Sequence, residues 1–230
     1  MRTPTYRVET SADPKAIVRD GFNHVSTIYR PARSPADAFG HTPRHHREWL
    51  DPFFRRLRRG AEVLDLGCGC GVPDARLLAD RFRVTGIDIS DVQIQRARRL
   101  VPNARFVRAD MTEVALPTGA FAGVVCLYAL IHVPLEEQRD LLARVARWHI
   151  PGGLFLVTTG WEAWTGTEDR WLGSNAKMYW SHTDVRTYER WLESLGFRVL
   201  RRDRIPEEGA EHALFLAQHG EPAEPIVPFP

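Results

Sequence analysis

Three glycines stand at alternate positions in Gly67-Cys68-Gly69-Cys70-Gly71, directly after the apolar run Val63-Leu64-Asp65-Leu66. Glycine admits positive φ and lets main chain approach a ligand closely. A strand entering this turn can therefore press backbone amides against a small molecule. A turn built for the pyrophosphate of a dinucleotide follows G-x-G-x-x-G, which would put the third glycine at position 72, where the residue is Val72. Asp65 adds a carboxylate that repels pyrophosphate and suits a ligand bearing an ammonium and a sulfonium. No Gly-Lys-Ser/Thr follows, which excludes a P-loop. Asp88 ends a second apolar run and can accept hydrogen bonds from both hydroxyls of a ribose. Asp110, with Met111 beside it, can accept from an adenine amino group while Met111 packs on the ring. A single aspartate at a strand end is ordinarily a turn or cap residue. Three of them arranged with a glycine loop read as one cofactor site.

Proton transfer near neutral pH is the natural work of histidine. His132 follows a fourth apolar run at the ligand edge of the sheet, with a helix-entry role as its structural alternative. His182 and His212 are further candidates, each readable as structural or pocket-lining. His41, His45 and His46 lie beside Arg44 and Arg47 and read as a solvated helix face or as the rim of an acceptor site. Trp161, Trp164 and Trp180 fall in an aromatic segment, residues 160–182, whose rings can stack on a planar substrate. The alternative is that they pack the segment onto the sheet. Tyr29 can cover a carboxylate of the cofactor. The three cysteines, Cys68, Cys70 and Cys126, lack a Cys/His cluster of ligand spacing, so they read as small buried residues and no metal site is expected.

The elements that must hold these residues alternate between strand-like and helix-like, which implies a parallel sheet. Strands are expected at Val63–Leu66, Val84–Ile89, Ala104–Val107, Ala122–Leu130 and Leu154–Thr158. Helices are expected at Ala75–Phe82, from Ser90 to about Leu100, and at Pro134–Trp148. Ser90 and Gln93 have the spacing of a capping box. Later, Thr183 can cap a helix through Leu195, and Phe197–Leu200 and Ala213–Ala217 can form two last strands, with an exposed loop at Pro206–Gly209 between them. Residues 1–60 form an N-terminal region that is helical in parts. Residues 61–220 form the core, with residues 160–182 as its insert, and the proline-rich tail 221–230 reads as extended or disordered.

These segments resemble the class I S-adenosylmethionine-dependent methyltransferases. Val63 to Gly71 resembles the first motif of that family, and Gly86-Ile87-Asp88-Ile89-Ser90, Ala109-Asp110-Met111, Phe121 to Val133 and Pro151-Gly152-Gly153 resemble its later motifs, in order. The resemblance spans about residues 60–160. It implies an α/β, Rossmann-like, seven-stranded and mostly parallel sheet with an antiparallel last strand and helices on both faces. It implies S-adenosyl-L-methionine as cofactor, with Asp65 and Gly67 at its methionine end, Asp88 at the ribose and Asp110 with Met111 at the adenine, and with Cys68, Gly69, Gly71, Ile89 and Gln93 as further cofactor-binding residues. Cys126 and Leu127 would line the pocket from the fourth strand, and Tyr128 would face the acceptor. The sequence Leu127-Tyr128-Ala129-Leu130 departs from the Asn/Asp-Pro-Pro-Tyr/Phe type of motif used on nucleic-acid bases and fits the small-molecule branch.

The chain has 230 residues, 43% hydrophobic and 26% charged, an ordinary globular balance. No apolar run approaches the ~20 residues of a membrane helix, and Met1–Lys15 lacks the core of a signal peptide. We expect a cytoplasmic protein. A net charge of +2 argues against a dedicated nucleic-acid binder, and Arg55, Arg56, Arg58 and Arg59 read as a solvated face. The expected partner is a small-molecule acceptor, methylated on O or N, in secondary metabolism, with no membrane and with a homodimer left open. The alternatives are a cyclase or cofactor-binding relative that transfers no methyl group and, further off, an RNA methyltransferase.

Overall fold

The computed structural model describes residues 13–31, 36–207 and 210–220. The proline-rich tail and most of the segment before Lys15 lie outside them. Seven strands form one sheet in the order β3-β2-β1-β4-β5-β9-β8. They are β1 (Glu62–Leu66), β2 (Arg83–Asp88), β3 (Arg105–Arg108), β4 (Phe121–Cys126), β5 (His149–Gly160), β8 (Phe197–Glu207) and β9 (Ala210–His219). The first five run parallel, and β9 lies antiparallel between β5 and β8. Central strands such as β4 are buried on both faces, as a parallel sheet covered by helices requires.

Helices cover both faces. On one, α5 (Leu135–Trp148) and α6 (Val185–Ser194) bury Leu141, Leu142, Val145, Tyr188 and Leu192 against the sheet. On the other, α2 (Pro43–Arg56), α3 (Asp74–Ala79) and α4 (Asp91–Leu100) bury Leu50, Phe53, Leu78 and Ile94. A Cβ on Gly123 would stand 2.5 Å from the Phe53 ring, so a glycine in β4 lets α2 lie close. Arg55, Arg56, Arg58 and Arg59 are exposed at the end of α2 and beyond it.

The remaining helix, α1 (Pro14–Tyr29), lies across the carboxyl edge of the sheet on a separate hairpin, β6 (Trp164–Trp171) and β7 (Ala176–His182). Val18, Val25, Trp171, Met178 and Tyr179 form a small core between them. The aromatic segment is thus a hairpin, with Trp171 and Tyr179 as its buried rings.

Several boundaries differ from the sequence expectation, each for a local reason. The fourth strand stops at Cys126, because Tyr128 takes a left-handed φ of 53° and turns the chain into one 3-10 turn, Leu130–His132. The cap of α6 is Asp184, not Thr183: its carboxylate accepts from the Arg186 and Thr187 amides, both at 3.0 Å. The capping box at Ser90 is half formed. Ser90 Oγ accepts from the Gln93 amide, but the Gln93 side chain bonds Ser26 of α1 instead of returning to Ser90. Strands β8 and β9 continue through Pro206, Glu207 and Ala210, so Pro206 and Glu207, expected in a loop over Pro206–Gly209, belong to a strand pair, and the other two positions lie outside the described residues.

Candidate functional site

The glycine turn after β1, the ends of β2 and β4, and α1 enclose a cavity of about 700 Å³, counting its open mouth. Gly67 and Gly69 both line it with positive φ, 71° and 52°. A Cβ on Gly67 would strike Ala129 at 2.2 Å, while a Cβ on Gly69 would meet nothing within 4 Å. The first glycine is required by packing, and the second leaves bare backbone at the cavity wall. Gly71 works elsewhere: a Cβ there would point at Phe106, Val101 and Ala97, so it serves packing behind the loop and is not part of the cavity wall. Cys68 also turns away, its sulfur 2.8 Å from where a Gly86 Cβ would stand. Cys126 is buried in the core, which pushes its thiol up to about 12.

The three aspartates are placed unequally. Asp88 lines the cavity, and its two oxygens accept the amides of Gly69 and Ser90, both at 2.8 Å. Burial lifts its carboxyl to about 6 against the pull of those two bonds. Asp110 also lines the cavity, accepting from Thr112 and pairing with Lys15 Nζ at 2.9 Å. Burial raises its carboxyl, but the Thr112 and Lys15 contacts outweigh it and hold the group below its ordinary value. Asp65 lies beneath the loop and is not part of the wall. Its Oδ2 is buried without a hydrogen-bond partner. Burial, then the charges of Asp74 and Asp88, push its carboxyl well above the usual range.

Sequence reasoning missed most of the wall contributed by α1. Lys15, Val18, Phe22 and Tyr29 all line the cavity, at helical spacing along one face. That stripe was readable, but its partner was not, because α1 meets the site through contacts far along the chain. Asn23 bonds Ser90 and Asp91, and Ser26 bonds Gln93 and Arg96, which fastens α1 to the start of α4. Thr112, Ala129 and Val133 were missed as well, while Ile89, Gln93, Met111, Leu127 and Tyr128 line the cavity as expected from their motifs.

Of the histidines proposed as bases, only His132 reaches the cavity. Its Nδ1 donates to the Tyr179 carbonyl at 2.8 Å, which leaves Nε2 without a proton. Burial outweighs that bond and takes the ring down to about 4, so it is neutral at physiological pH. His182 lies against Gly160 and bonds the Glu162 carbonyl at 2.7 Å, away from the wall. His212 sits on β9 beside Tyr128, its ring 5.3 Å from the tyrosine. None of the three tryptophans lines the cavity. Trp161 lies under Arg204, Trp164 packs on Trp180, and Trp180 stands behind His132 at 5.6 Å. Trp180 backs the wall through His132 and Trp164 packs on Trp180 from the hairpin, while Trp161, before the hairpin, packs against Arg204.

Among the described residues no group of three or more His, Cys, Asp or Glu side chains is placed to hold a metal ion, and no helix is long and apolar enough to cross a membrane. The cavity does suit an adenosyl amino acid. It offers bare backbone at Gly69 and a carboxylate on the wall at Asp88, with the buried, unpartnered carboxyl oxygen of Asp65 behind the loop.

Residues 63–153 match the family model described as a methyltransferase domain. The chain is 33% identical over 154 residues to 2-methyl-6-phytyl-1,4-hydroquinone methyltransferase of Synechocystis, an alignment covering 60% of this chain and 46% of that protein. The chain spans about half the length, or less, of the curated relatives it matches. Among solved structures, magnesium protoporphyrin IX methyltransferase of Synechocystis with bound SAM superposes with a TM-score of 0.69 at 19% identity, over 93% of this chain and all of that one. The cyclase SpnF superposes with a TM-score of 0.67 at 17% identity, over 91% of this chain and 97% of that one. Both share the fold.

Proposed function

We propose that the chain is an S-adenosylmethionine-dependent methyltransferase that transfers a methyl group from that cofactor to a small-molecule acceptor, a reading supported by the methyltransferase-domain match over residues 63–153. One observation carries the reading. The glycine turn, Asp88, Asp110 and Met111, widely spaced in sequence, line a single cavity roofed by α1.

In this assignment Gly67 and Gly69 accommodate the methionine end with their backbone, and Asp65 balances its ammonium from below. Asp88 accepts from the ribose hydroxyls, and Asp110, Met111 and Thr112 hold the adenine. Lys15 sets the position of Asp110, and Tyr29 and Phe22 close the roof. Bound cofactor supplies a methyl group already activated on a sulfonium. The protein then has to hold the nucleophile in line and exclude water, and such positioning is worth about 7–11 kcal/mol of the barrier. Tyr128 and Leu127, at the end of β4, form the side on which the acceptor would lie. His132 orients the acceptor through its unprotonated Nε2. Burial, which lowers the ring to about 4, makes it a weak proton acceptor in the free protein.

Incubation with methyl-labelled cofactor and a fractionated metabolite extract should move label into a small molecule, one equivalent per S-adenosylhomocysteine formed. Product without S-adenosylhomocysteine would favour the second reading, a fold relative that binds the cofactor but transfers nothing, which the likeness to a cyclase supports.

A further inference from the structure

Charge is spread unevenly along the cavity wall. The sheet edge runs β3-β2-β1-β4, so Asp110, just after β3, and Asp88, at the end of β2, stand together on one side of the glycine turn. Lys15 of α1 joins them there through its pair with Asp110. Among the described residues, these three are the charged side chains that line the cavity. The Lys15 ammonium has three donors to give, and it meets Asp110 Oδ2 at 2.9 Å, Glu137 Oε2 at 2.6 Å and Thr112 Oγ1 at 2.7 Å. It is therefore fully engaged at the adenine end.

On the other side of the turn, after β4, the wall changes character. Leu127, Tyr128 and His132 supply it, together with Phe22 and Tyr29 of α1. The rings touch one another: Phe22 stands edge to face with His132 at 5.2 Å and with Tyr29 at 5.7 Å. The exposed ring of Phe39 meets Tyr29 at 6.0 Å, so the apolar surface runs on to solvent.

The ionisable groups behind this end are already paired. The Tyr128 hydroxyl lies 3.3 Å from His41 Nε2. Asp37 pairs with Arg30 Nη2 at 3.3 Å and with His41 Nδ1 at 3.4 Å, and Glu207 reaches His212 Nε2 at 3.6 Å. Neither carboxylate lines the cavity. On the wall itself, His132 Nδ1 donates to the Tyr179 carbonyl at 2.8 Å, and Nε2 is left as a hydrogen-bond acceptor for whatever the cavity holds.

On the methyltransferase reading above, we propose that the acceptor is an uncharged aromatic molecule with a hydrogen-bond-donating group. Its O–H or N–H bonds His132 Nε2 while its ring lies among Phe22, Tyr29 and Tyr128. A buried charge is costly unless it is paired. A carboxylate or phosphate finds no free cationic side chain on this part of the wall, and an ammonium finds no free carboxylate. An ammonium would also lie beside the cofactor's sulfonium, which carries the same sign. A neutral ring avoids both costs and packs edge to face or offset on the rings already there. The donor matters because a wholly apolar molecule seated against His132 would strip water from Nε2 and leave it unpaired.

The test measures binding of four probes of one shape to protein loaded with S-adenosylhomocysteine: 2-naphthol, naphthalene, 2-naphthoate and 2-naphthylmethylammonium. At about pH 7 the phenol is neutral, the carboxyl group ionised and the amine protonated. 2-Naphthol should bind tightest, about fivefold tighter than naphthalene and about tenfold or more tighter than either ion. His132→Phe should abolish the advantage of 2-naphthol over naphthalene. Phe22→Lys, which adds an unpaired ammonium to the wall, should let 2-naphthoate overtake 2-naphthol. Should a variant not fold, the wild-type ranking decides alone. An ion bound as tightly as 2-naphthol by the wild type, no advantage of 2-naphthol over naphthalene, an advantage kept in His132→Phe, or no probe bound to loaded protein would each overturn the proposal. Failure of the wild type to bind S-adenosylhomocysteine would instead remove the methyltransferase reading on which it stands.

Discussion

Asp65 has a fully buried carboxyl group with one oxygen unpartnered, and it faces two further carboxylates, Asp74 and Asp88. The folded protein therefore keeps a proton on Asp65 at pH values where the unfolded chain, with its ordinary carboxyl near 3.9, has lost it. Stability from this group is present at low pH and falls as pH rises through the interval between the two values. Asp65→Asn should stabilise the free protein at neutral pH, and urea titrations should show that gain shrinking towards pH 4. A gain independent of pH would contradict the account. The same substitution should weaken cofactor binding, since an incoming ammonium can draw the proton off Asp65 and gain a counter-charge that an amide cannot supply. Asp88 adds a pH dependence of its own. Its carboxyl, near 6, must be ionised to accept fully from ribose, so cofactor affinity should fall as pH drops below 6. At this scale the sequence was legible where a residue type has one use at its position, as with Gly67, Gly69 and Asp88. It was not legible where burial decides the role. Gly71 and Cys68 face the core, and nothing in their spacing separates them from Gly67 and Gly69.

Helix α1 is the element that makes an open sheet edge into a cavity, and its seat depends on a glycine. A Cβ on Gly21 would stand 2.7 Å from the Lys177 carbonyl and 2.8 Å from the end of Met178 on β7. Alanine in a helix interior ordinarily gains up to about 1 kcal/mol over glycine. Overpacking against a backbone atom costs about 1–3 kcal/mol, so the clash should win. Gly21→Ala should loosen the roof, raising the cofactor Kd and speeding amide exchange in α1 while β1 and β4 stay protected. Unchanged affinity and exchange would show that α1 does not rest on that contact. The face of α1 that lines the site follows helical spacing, yet of its residues Tyr29 alone stands out in the sequence. A local pattern states that a helix has a buried face and does not state what covers it. The aromatic segment failed in the opposite way: its rings were conspicuous, but the hairpin that orders them arises from cross-strand pairs such as Thr167 with Tyr179.

For the whole molecule, the alternation of apolar strands and helices sufficed to indicate the doubly covered parallel sheet, because each such unit can bury its faces in few ways. The position of β9 between β5 and β8 was implied only by the family resemblance, since pairing of distant strands leaves little local trace. Global stability also carries a signature outside the site. His149, at the start of β5, is buried and its ring is taken down to about 4, mainly by burial. The unfolded chain binds that proton from about 6.5 downward and the folded protein resists it down to about 4, so stability is lost as pH falls across this interval. His149→Gln should flatten that acid limb in urea titrations, and an unchanged slope would assign the loss to other groups.

The cavity under α1 should hold an adenosyl amino acid with Asp88 at its ribose. Calorimetric titration of S-adenosylhomocysteine into the wild type and Asp88→Ala should show one site per chain in the wild type, stabilisation of about 2.7 kcal/mol at a hundredfold excess over Kd in a parallel urea titration, and loss of most of the affinity in Asp88→Ala. No binding to the wild type, or equal binding to both proteins, would contradict it.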